Sequence, residues 1–567
     1  MTPINSDTVL QSIDVNFRVS AGPGAGKTHW LVQHIKNVLT NSKRLGKIKK
    51  ISCITYTNIG VDTIQDRLGP SADQVEVSSI HSFLYAHVLR PYISFIAEEF
   101  HLNVPKIDGH SDSILDGYTF LSNWKTQTKQ ARITDDGSLI NAFRDLRWKW
   151  GKSGELEVNT RFPRKIDGYA VKTSSYYTYK LLAWEKGVLH HDDVLFLSYQ
   201  ILSKYPFVVN VLVAKFPYFF IDEFQDSNPI QVAIFALLGR YGAFIGIIGD
   251  IAQSIYRFQG ARPSQFKNFQ LPGIIDYVMS DNRRSSNQIV RLLNVARTDI
   301  AQAPWRNVDS DRPIIYVGNM VAALKLAKAK CASESVYSLS RDNITSNAMK
   351  RELRGGSGTY DAKLISTVID ADSNAERRDF IVASIKAVEL ARQNNFRDAI
   401  KELKKGLRRL PQYEQEDKVA IKLIILLLGD YPIFSKMSLL EFSNFIKARL
   451  GLSAPRVTSG KAKVFYEKTS YENFSLCVHI GEDLSLHRTI HKAKGDEFDN
   501  VLVLFPNSEK FDFLLSPDLL TDSEASEEQR INYVAVSRAK NKLFICVPNL
   551  SSDEQDRLNA HFNIEFV

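Results

Sequence analysis

The segment AGPGAGKT at Ala21 to Thr28 has the residue types of a phosphate-binding loop. Glycines ahead of a helix let backbone N–H groups come close to phosphate oxygens, Lys27 can reach the β and γ phosphates, and the Thr28 hydroxyl can ligate magnesium. Ala21 stands where the strict pattern begins with glycine, and a chance glycine-rich turn is the competing reading. Much further along, KFPYFFIDEFQDSN sets Asp222 and Glu223 at the end of an apolar run. Asp222 is suited to hold magnesium through its water shell, and Glu223 to orient and deprotonate an attacking water. The chemistry these two segments specify is transfer of a terminal phosphoryl group to water.

The elements that must position these groups are readable from periodicity. A strand from Phe17 to Ser20 feeds the loop, and Trp30, Leu31, Ile35, Val38 and Leu39 recur behind it at helical spacing. Tyr218 to Ile221 is a continuous apolar run, as expected of a parallel strand covered on both faces, and acids at its carboxyl end lie where open α/β sheets bind ligands. A third buried strand spans Ala243 to Ile248, and the three are expected in one parallel sheet. The stretch between Lys27 and Asp222 exceeds two or three βα units of roughly 30 residues each, which predicts an insertion at 96–185. Strands at Ile314 to Val317, Val336 to Leu339, Val501 to Leu504 and Leu543 to Val547 predict a second α/β sheet, interrupted by a largely helical stretch at 355–475. The expected fold class is α/β, with two nucleotide-fold halves that each carry an insertion.

Composition agrees with several folded cores. A chain of 567 residues suggests roughly four domains, and 44% hydrophobic with 24% charged residues excludes disorder as the main state. The net charge of +9 suits a polyanion only where it gathers on one face. Cys53, Cys331, Cys477 and Cys546 lie far apart, with no CxxC pair, and read as thiols of a reducing compartment. The N-terminus has no secretory pattern and no stretch approaches about 18 uninterrupted apolar residues, so a cytoplasmic protein without a membrane partner is expected.

Eight segments in order carry a resemblance to a known family: AGPGAGKT at 21–28, TYTN at 55–58, SIHSF at 79–83, IDEFQDSNPIQ at 221–231, GDIAQSIYRFQGA at 249–261, NRRS at 282–285, TIHKAKGDEF at 489–498 and EEQRINYVAVSRAK at 527–540. With them the chain resembles the UvrD/Rep-like superfamily 1 DNA helicases. The resemblance implies two RecA-like P-loop domains: 1A at 1–95 and 186–272 with insertion 1B at 96–185, and 2A at 273–354 and 476–567 with a short 2B at 355–475. It implies ATP and Mg2+ at Gly22, Pro23, Gly24, Ala25, Gly26, Lys27 and Thr28. By the same resemblance Gln253 and Arg284 sense the γ phosphate, Arg538 is an arginine finger supplied by the second sheet, and Glu497 contacts the ribose. A finger arriving from another domain would make hydrolysis depend on closure of the two halves. Tyr56, Thr57, Asn58, His81, Phe83, Tyr256, Phe258 and His491 fall in motifs that line the family's groove for single-stranded DNA. Aromatic faces there stack bases without reading their identity, although core packing is the competing reading for one or two of these rings. Movement from 3′ to 5′ along the strand is implied.

Several residues depart from the family pattern. His29 stands where many relatives have Arg, and Arg283 where the family places an aromatic that stacks on adenine, a role an Arg plane can also take. Gln259 replaces an Arg, Ile59 a Lys and Asp496 a Leu, all in segments that couple hydrolysis to strand movement. Arg144, Arg147, Trp148, Lys149, Trp150, Lys152, Arg161, Arg164 and Lys165 interleave cations with aromatics, readable as a nucleic-acid surface or as core tryptophans beneath a solvated face. The run His190 to Asp193 reads as a loop rather than a metal site, and KELKKGLRR at 401–409 as a solvated helix face. GGSG at Gly355 to Gly358 and the acidic run Asp522 to Glu528 read as exposed connections. The compact insertions and the short stretch after Lys540 are similar to the helicase-like subunit of Gabija-type phage-defence systems, which pairs with an OLD-family nuclease. Two functions follow. One is a helicase or translocase acting on single-stranded DNA and tailed duplexes, in repair or phage defence. The other is an ATPase subunit that senses nucleotide and DNA ends and regulates a partner nuclease with little unwinding of its own.

Overall fold

Strands β1 (Thr2–Ile4), β2 (Phe17–Ala21), β3 (Ile51–Thr55), β4 (Val75–Ser79), β9 (Tyr218–Ile221), β10 (Phe244–Gly249) and β11 (Ile275–Met279) form one seven-stranded sheet in the order β1-β11-β2-β10-β9-β3-β4. Every pairing in it is parallel. The structure is a computed structural model that describes all residues except 111–113, 161–164, 167, 333, 354–360, 362, 409, 411–416, 452–454, 480–484, 517–519 and 521–525. Arg161, Arg164, Gly355 to Gly358, Arg409 and residues 522–525 of the acidic run therefore lie outside the described residues.

Parallel pairing puts the carboxyl ends of β2, β9 and β10 on one edge, where α/β sheets bind ligands. The strands stay there because both faces are covered. Along β9, Phe219 and Ile221 enter one apolar core and Tyr218 and Phe220 another, the second shared with Trp30, Ile35 and Val38 of the helix Lys27–Asn41. The insertion at 96–185 joins the first of these cores through Trp124, Trp148 and Trp184. Beyond its helices it carries two antiparallel pairs, β5 (Arg147–Trp150) with β6 (Leu156–Asn159) and β7 (Lys165–Ile166) with β8 (Tyr169–Ala170). Its tryptophans are largely core, as the blander expectation had it: Trp148 is buried and stacks on Phe196.

The second sheet contains β14 (Ile314–Val317), β15 (Val336–Ser340), β16 (His487–Thr489), β17 (Phe498–Leu504), β18 (Ala539–Val547) and β19 (Asn563–Phe566), in the order β16-β15-β17-β18-β14-β19. A helical insertion precedes β16 and has its own core around Phe380, Leu403, Phe434, Tyr466 and Tyr471. The Lys-rich helix Phe396–Leu407 buries Leu403 and Leu407 there, and pairs Lys404 with Asp417 and Lys405 with Glu402 on its outer face. A short pair, β12 (Asp281–Asn282) with β13 (Ala303–Pro304), stands apart from both sheets.

The chain divides into two compact units, Met1–Asp311 with Lys510–Asn541, and Arg312–Glu509 with Lys542–Val567. The four-part scheme expected from sequence groups 273–311 and 510–541 differently. They belong to the first unit because β11 pairs with β2 and because the helix Glu527–Val536 buries Arg530, Ile531 and Tyr533 there. Among the described residues no single helix is long and apolar enough to cross a membrane.

Candidate functional site

The phosphate loop leaves β2 at Ala21 and turns into the helix Lys27–Asn41 through Gly24 (φ +71°) and Gly26 (φ +82°), backbone states that glycine adopts without strain. Neither position has room for a side chain. A Cβ on Gly24 would lie 2.7 Å from Arg284 Cβ and from Asn282 Oδ1, and one on Gly26 would lie 2.8 Å from Ser6 Cβ. Among the described residues no side chain caps this helix and no acid occupies its first turn, so its leading N–H groups are kept for an anion. Lys27 Nζ lies 3.5 Å from Ala21 O and 3.4 Å from Gly22 O, folded over the loop. Pro23 O accepts from Gln302 Nε2 at 2.8 Å, and Gly24 O from the Arg283 N–H at 2.9 Å. The cradle, its lysine and the adjoining Thr28 fit a triphosphate with magnesium.

Asp222 follows the last residue of β9 and is buried, its N–H held by Ile54 O at 2.9 Å and its Oδ1 accepting from the Glu223 N–H at 3.0 Å. Glu223 takes a left-handed backbone conformation (φ +53°), which turns the chain sharply at the strand end. Gln225 Nε2 donates to Glu223 Oε2, and Gln225 Oε1 accepts from the Asp250 N–H at 3.0 Å. Asp250 Oδ2 accepts from Gln253 Nε2 at 2.7 Å, and Gln253 Oε1 accepts from Arg538 Nη2 at 2.8 Å. One hydrogen-bonded chain thus joins Glu223, Gln253 and Arg538. Arg284 lies beside Gly24 and donates from Nη1 to Ser537 O at 2.9 Å.

Arg538 therefore stands in the same unit as the phosphate loop, although β18 runs on from it into the second sheet. The helix before it explains this. Arg530 Nε donates to Ser254 O at 2.7 Å, and Arg297 approaches the Tyr533 hydroxyl at 3.4 Å while pairing with Asp250 at 3.1 Å and Asp299 at 2.8 Å. Glu497 and His491 lie between β16 and β17 of the second unit. His29, exposed, is 3.7 Å from Asp7 Oδ1, and Arg283 pairs with the other oxygen of Asp7.

Of the residues expected to meet DNA, Tyr56, Asn58, His81 and Tyr256 line a groove of about 630 Å3 with Arg144 and Arg147. Tyr56 and Tyr256 stack at 4.7 Å, and the Tyr56 hydroxyl donates to Gln259 Oε1. Burial, with the Asp226 carboxylate adding to it, holds both phenols above their ordinary pKa. Burial pushes His81 down to about 4, with His191 and His110 adding to the effect. A second groove of about 920 Å3 shares Arg147, Asp192, Asn228 and Gln259 with the first, and adds Lys149, Arg257 and Phe258. Phe258 is 47% exposed. Thr57 is taken up as a helix cap, its Oγ1 accepting from the Gly60 N–H at 3.1 Å.

Two expectations need correction. Phe83 does not line the groove: it is 1% exposed and packs edge-on against Phe216 and Phe219, so no face is left for a base. The run His190 to Asp193 is not a loop but the start of the helix His191–Lys204, capped reciprocally by His190 and Asp193. Sequence reasoning also missed Asp250, Arg297 and Gln302. Asp250 had a visible signal, since it follows a buried strand as Asp222 does; Arg297 and Gln302 lie outside any motif.

Residues 1–272 match the UvrD/REP helicase N-terminal domain and residues 273–549 the UvrD-like helicase C-terminal domain. The chain is 23% identical to the ATP-dependent DNA helicase PcrA of Bacillus subtilis, over 96% of its own length and 82% of that protein. It is 24% identical to PcrA of Staphylococcus aureus, over 93% and 80%. Against the Gabija protein GajB of Bacillus cereus it is 26% identical over 52% of its own length and 49% of that protein.

Proposed function

From the premise that this chain belongs to the UvrD/REP helicase family and is an ATP-dependent DNA helicase, we propose that it translocates 3′ to 5′ on single-stranded DNA. Lys27 and the loop N–H groups hold the β and γ phosphates of ATP, and Thr28 and Asp222 hold Mg2+. When bound there, the metal would neutralise charge on the polyphosphate. Glu223 orients water and accepts its proton, while Gln253, Arg284 and Arg538 bring donors to the terminal phosphate, where charge spreads in the transition state. His29 and Arg283 flank the base. In the same scheme residues 96–185 and 355–475 serve as 1B and 2B, and Glu497 and His491 contribute from the second unit.

The observation that carries this reading is the hydrogen-bonded chain from Glu223 through Gln225, Asp250 and Gln253 to Arg538. Gln253 shares a short segment with Tyr256, so a change at the terminal phosphate reaches the groove through covalently linked residues. Phe258 offers sequence-tolerant stacking, with the buried Tyr256 behind it, and Arg144, Arg147 and Lys149 neutralise phosphates beside it.

A second reading is favoured by the match to a Gabija protein over half of the chain and by Gln259, which stands in both grooves without the positive charge of an arginine and accepts a hydrogen bond from the Tyr56 hydroxyl. In it the chain is an ATPase subunit that senses DNA ends and regulates a partner nuclease of the OLD family in phage defence. One experiment addresses both: steady-state ATP hydrolysis with and without single-stranded DNA, beside displacement of 3′- and 5′-tailed duplexes. The motor reading expects stimulated hydrolysis with displacement of the 3′-tailed duplex, and loss of both in Lys27→Ala and Glu223→Gln. Stimulated hydrolysis without displacement favours the regulatory subunit. Hydrolysis that survives both substitutions overturns the assigned roles.

A further inference from the structure

Beside the phosphate loop, β12 and β13 bring Trp305 against Arg283. The backbone N–H of Trp305 donates to Asn282 O at 3.0 Å, and the Arg283 guanidinium lies 4.3 Å from the indole centroid. Two further contacts fix the same arginine: its N–H on Gly24 O at 2.9 Å and its Nη2 on the Asp7 carboxylate. Arg283 Nε is buried without an acceptor among the described residues. Trp305 is 57% exposed, so the contact with Arg283 is made at the surface and not in a core.

We propose that Trp305 is a positioning residue that holds the Arg283 guanidinium flat as the stacking face for a purine base whose phosphates occupy the loop. This rests on the reading of that loop as the ATP site. A guanidinium is planar and stacks on π systems, but on a free stem its rotamer entropy opposes stacking. Two contacts on the guanidinium itself, the Trp305 indole and the Asp7 carboxylate, lower that cost before the ligand arrives, while the backbone N–H on Gly24 O fixes the stem's origin, and the indole's negative face strengthens the cation's hold. The ligand recognised is a flat heterocycle joined to a polyphosphate, and the bare polyphosphate gains nothing from Trp305.

The full chain is titrated with ADP and separately with pyrophosphate, which lacks the base, in wild type, Trp305→Ala, Trp305→Phe, Arg283→Ala and Lys27→Ala. Trp305→Ala is expected to weaken ADP about 3- to 10-fold, the range of one cation–π contact, and to leave pyrophosphate unchanged. Trp305→Phe keeps an aromatic face and should stay within about twofold of wild type for ADP. Arg283→Ala should lose at least as much as Trp305→Ala. Equal weakening of ADP and pyrophosphate by Trp305→Ala would mean that the indole only braces the loop, and unchanged ADP binding would mean that it does nothing there; either overturns the proposal. Lys27→Ala separates the two levels: it should weaken both ligands, and if it weakens neither, the loop assignment itself fails.

Discussion

The carboxylate of Asp193 receives more donors than any single surface acid could organise, and its removal has a calculable cost. It accepts from Lys180 Nζ at 2.7 Å, His190 Nδ1 at 3.1 Å, the His190 N–H at 3.0 Å, and the indole N–H groups of Trp184 and Trp148 at 2.9 Å each. Both Asp193 and Lys180 are out of contact with solvent. In Asp193→Asn the amide oxygen can keep one or two of these bonds, so the main loss is the charge opposite Lys180. Breaking a buried ion pair by removing one partner costs about 3–5 kcal/mol, because the other charge is left unpaired. For a large unit this corresponds to a fall in Tm on the order of 5–10 °C. The double variant Asp193→Asn with Lys180→Met removes the stranded cation and should recover most of the loss. Burial raises the Asp193 carboxyl, but Lys180 and His190 outweigh it and hold the group well below the usual carboxylate range. Its stabilising contribution is therefore complete above the unfolded value of about 4 and is lost as pH falls towards the folded value. Thermal unfolding from pH 7 to pH 3 should show a constant gap between wild type and Asp193→Asn down to about pH 5, narrowing below pH 4. A Tm within a degree or so of wild type, a gap that persists unchanged at pH 3, or a double variant no more stable than the single would refute the reasoning.

Three further substitutions separate packing from function. Gly24→Ala places a Cβ against Arg284 and Asn282 at a positive φ, strain of about 1–3 kcal/mol, and should reduce ATP turnover at least tenfold in a steady-state assay with a fall in Tm of only about 2–6 °C. Phe83→Ala should cost about 3–5 kcal/mol of stability as a buried ring lost from the core, with the salt dependence of DNA binding unchanged. Phe258→Ala should show the reverse: no change in thermal unfolding, but weaker binding of single-stranded DNA by fluorescence anisotropy, as expected for about 1–3 kcal/mol per stacked base.

These expectations differ in how far the sequence could have supplied them, and the difference has a physical cause. The three central strands of the first sheet, at 17–21, 218–221 and 244–249, were legible because burial on both faces leaves a largely apolar run, as in Tyr218 to Ile221, and the loop because its chemistry demands adjacent residues; β1, β3, β4 and β11 gave no such signal. Phe83 was misplaced because membership of a motif says that a residue lies near the groove and not which way its ring turns; Phe216 and Phe219, far away in the chain, decide that. Arg538 was placed with the second sheet because the strand after it belongs there, whereas Arg530 and Tyr533 before it are buried in the first unit. The departure at position 283 is the sharpest case. Read along the chain, Arg283 is the loss of an aromatic, and base recognition looks weakened. In the folded chain Trp305 lies against that same guanidinium, brought there by a two-residue strand pair that no periodicity announces. A residue changed at one position of a motif can be braced by a spatial neighbour outside every motif, so a departure from a family pattern measures a change of function only after the neighbours of the changed residue are known.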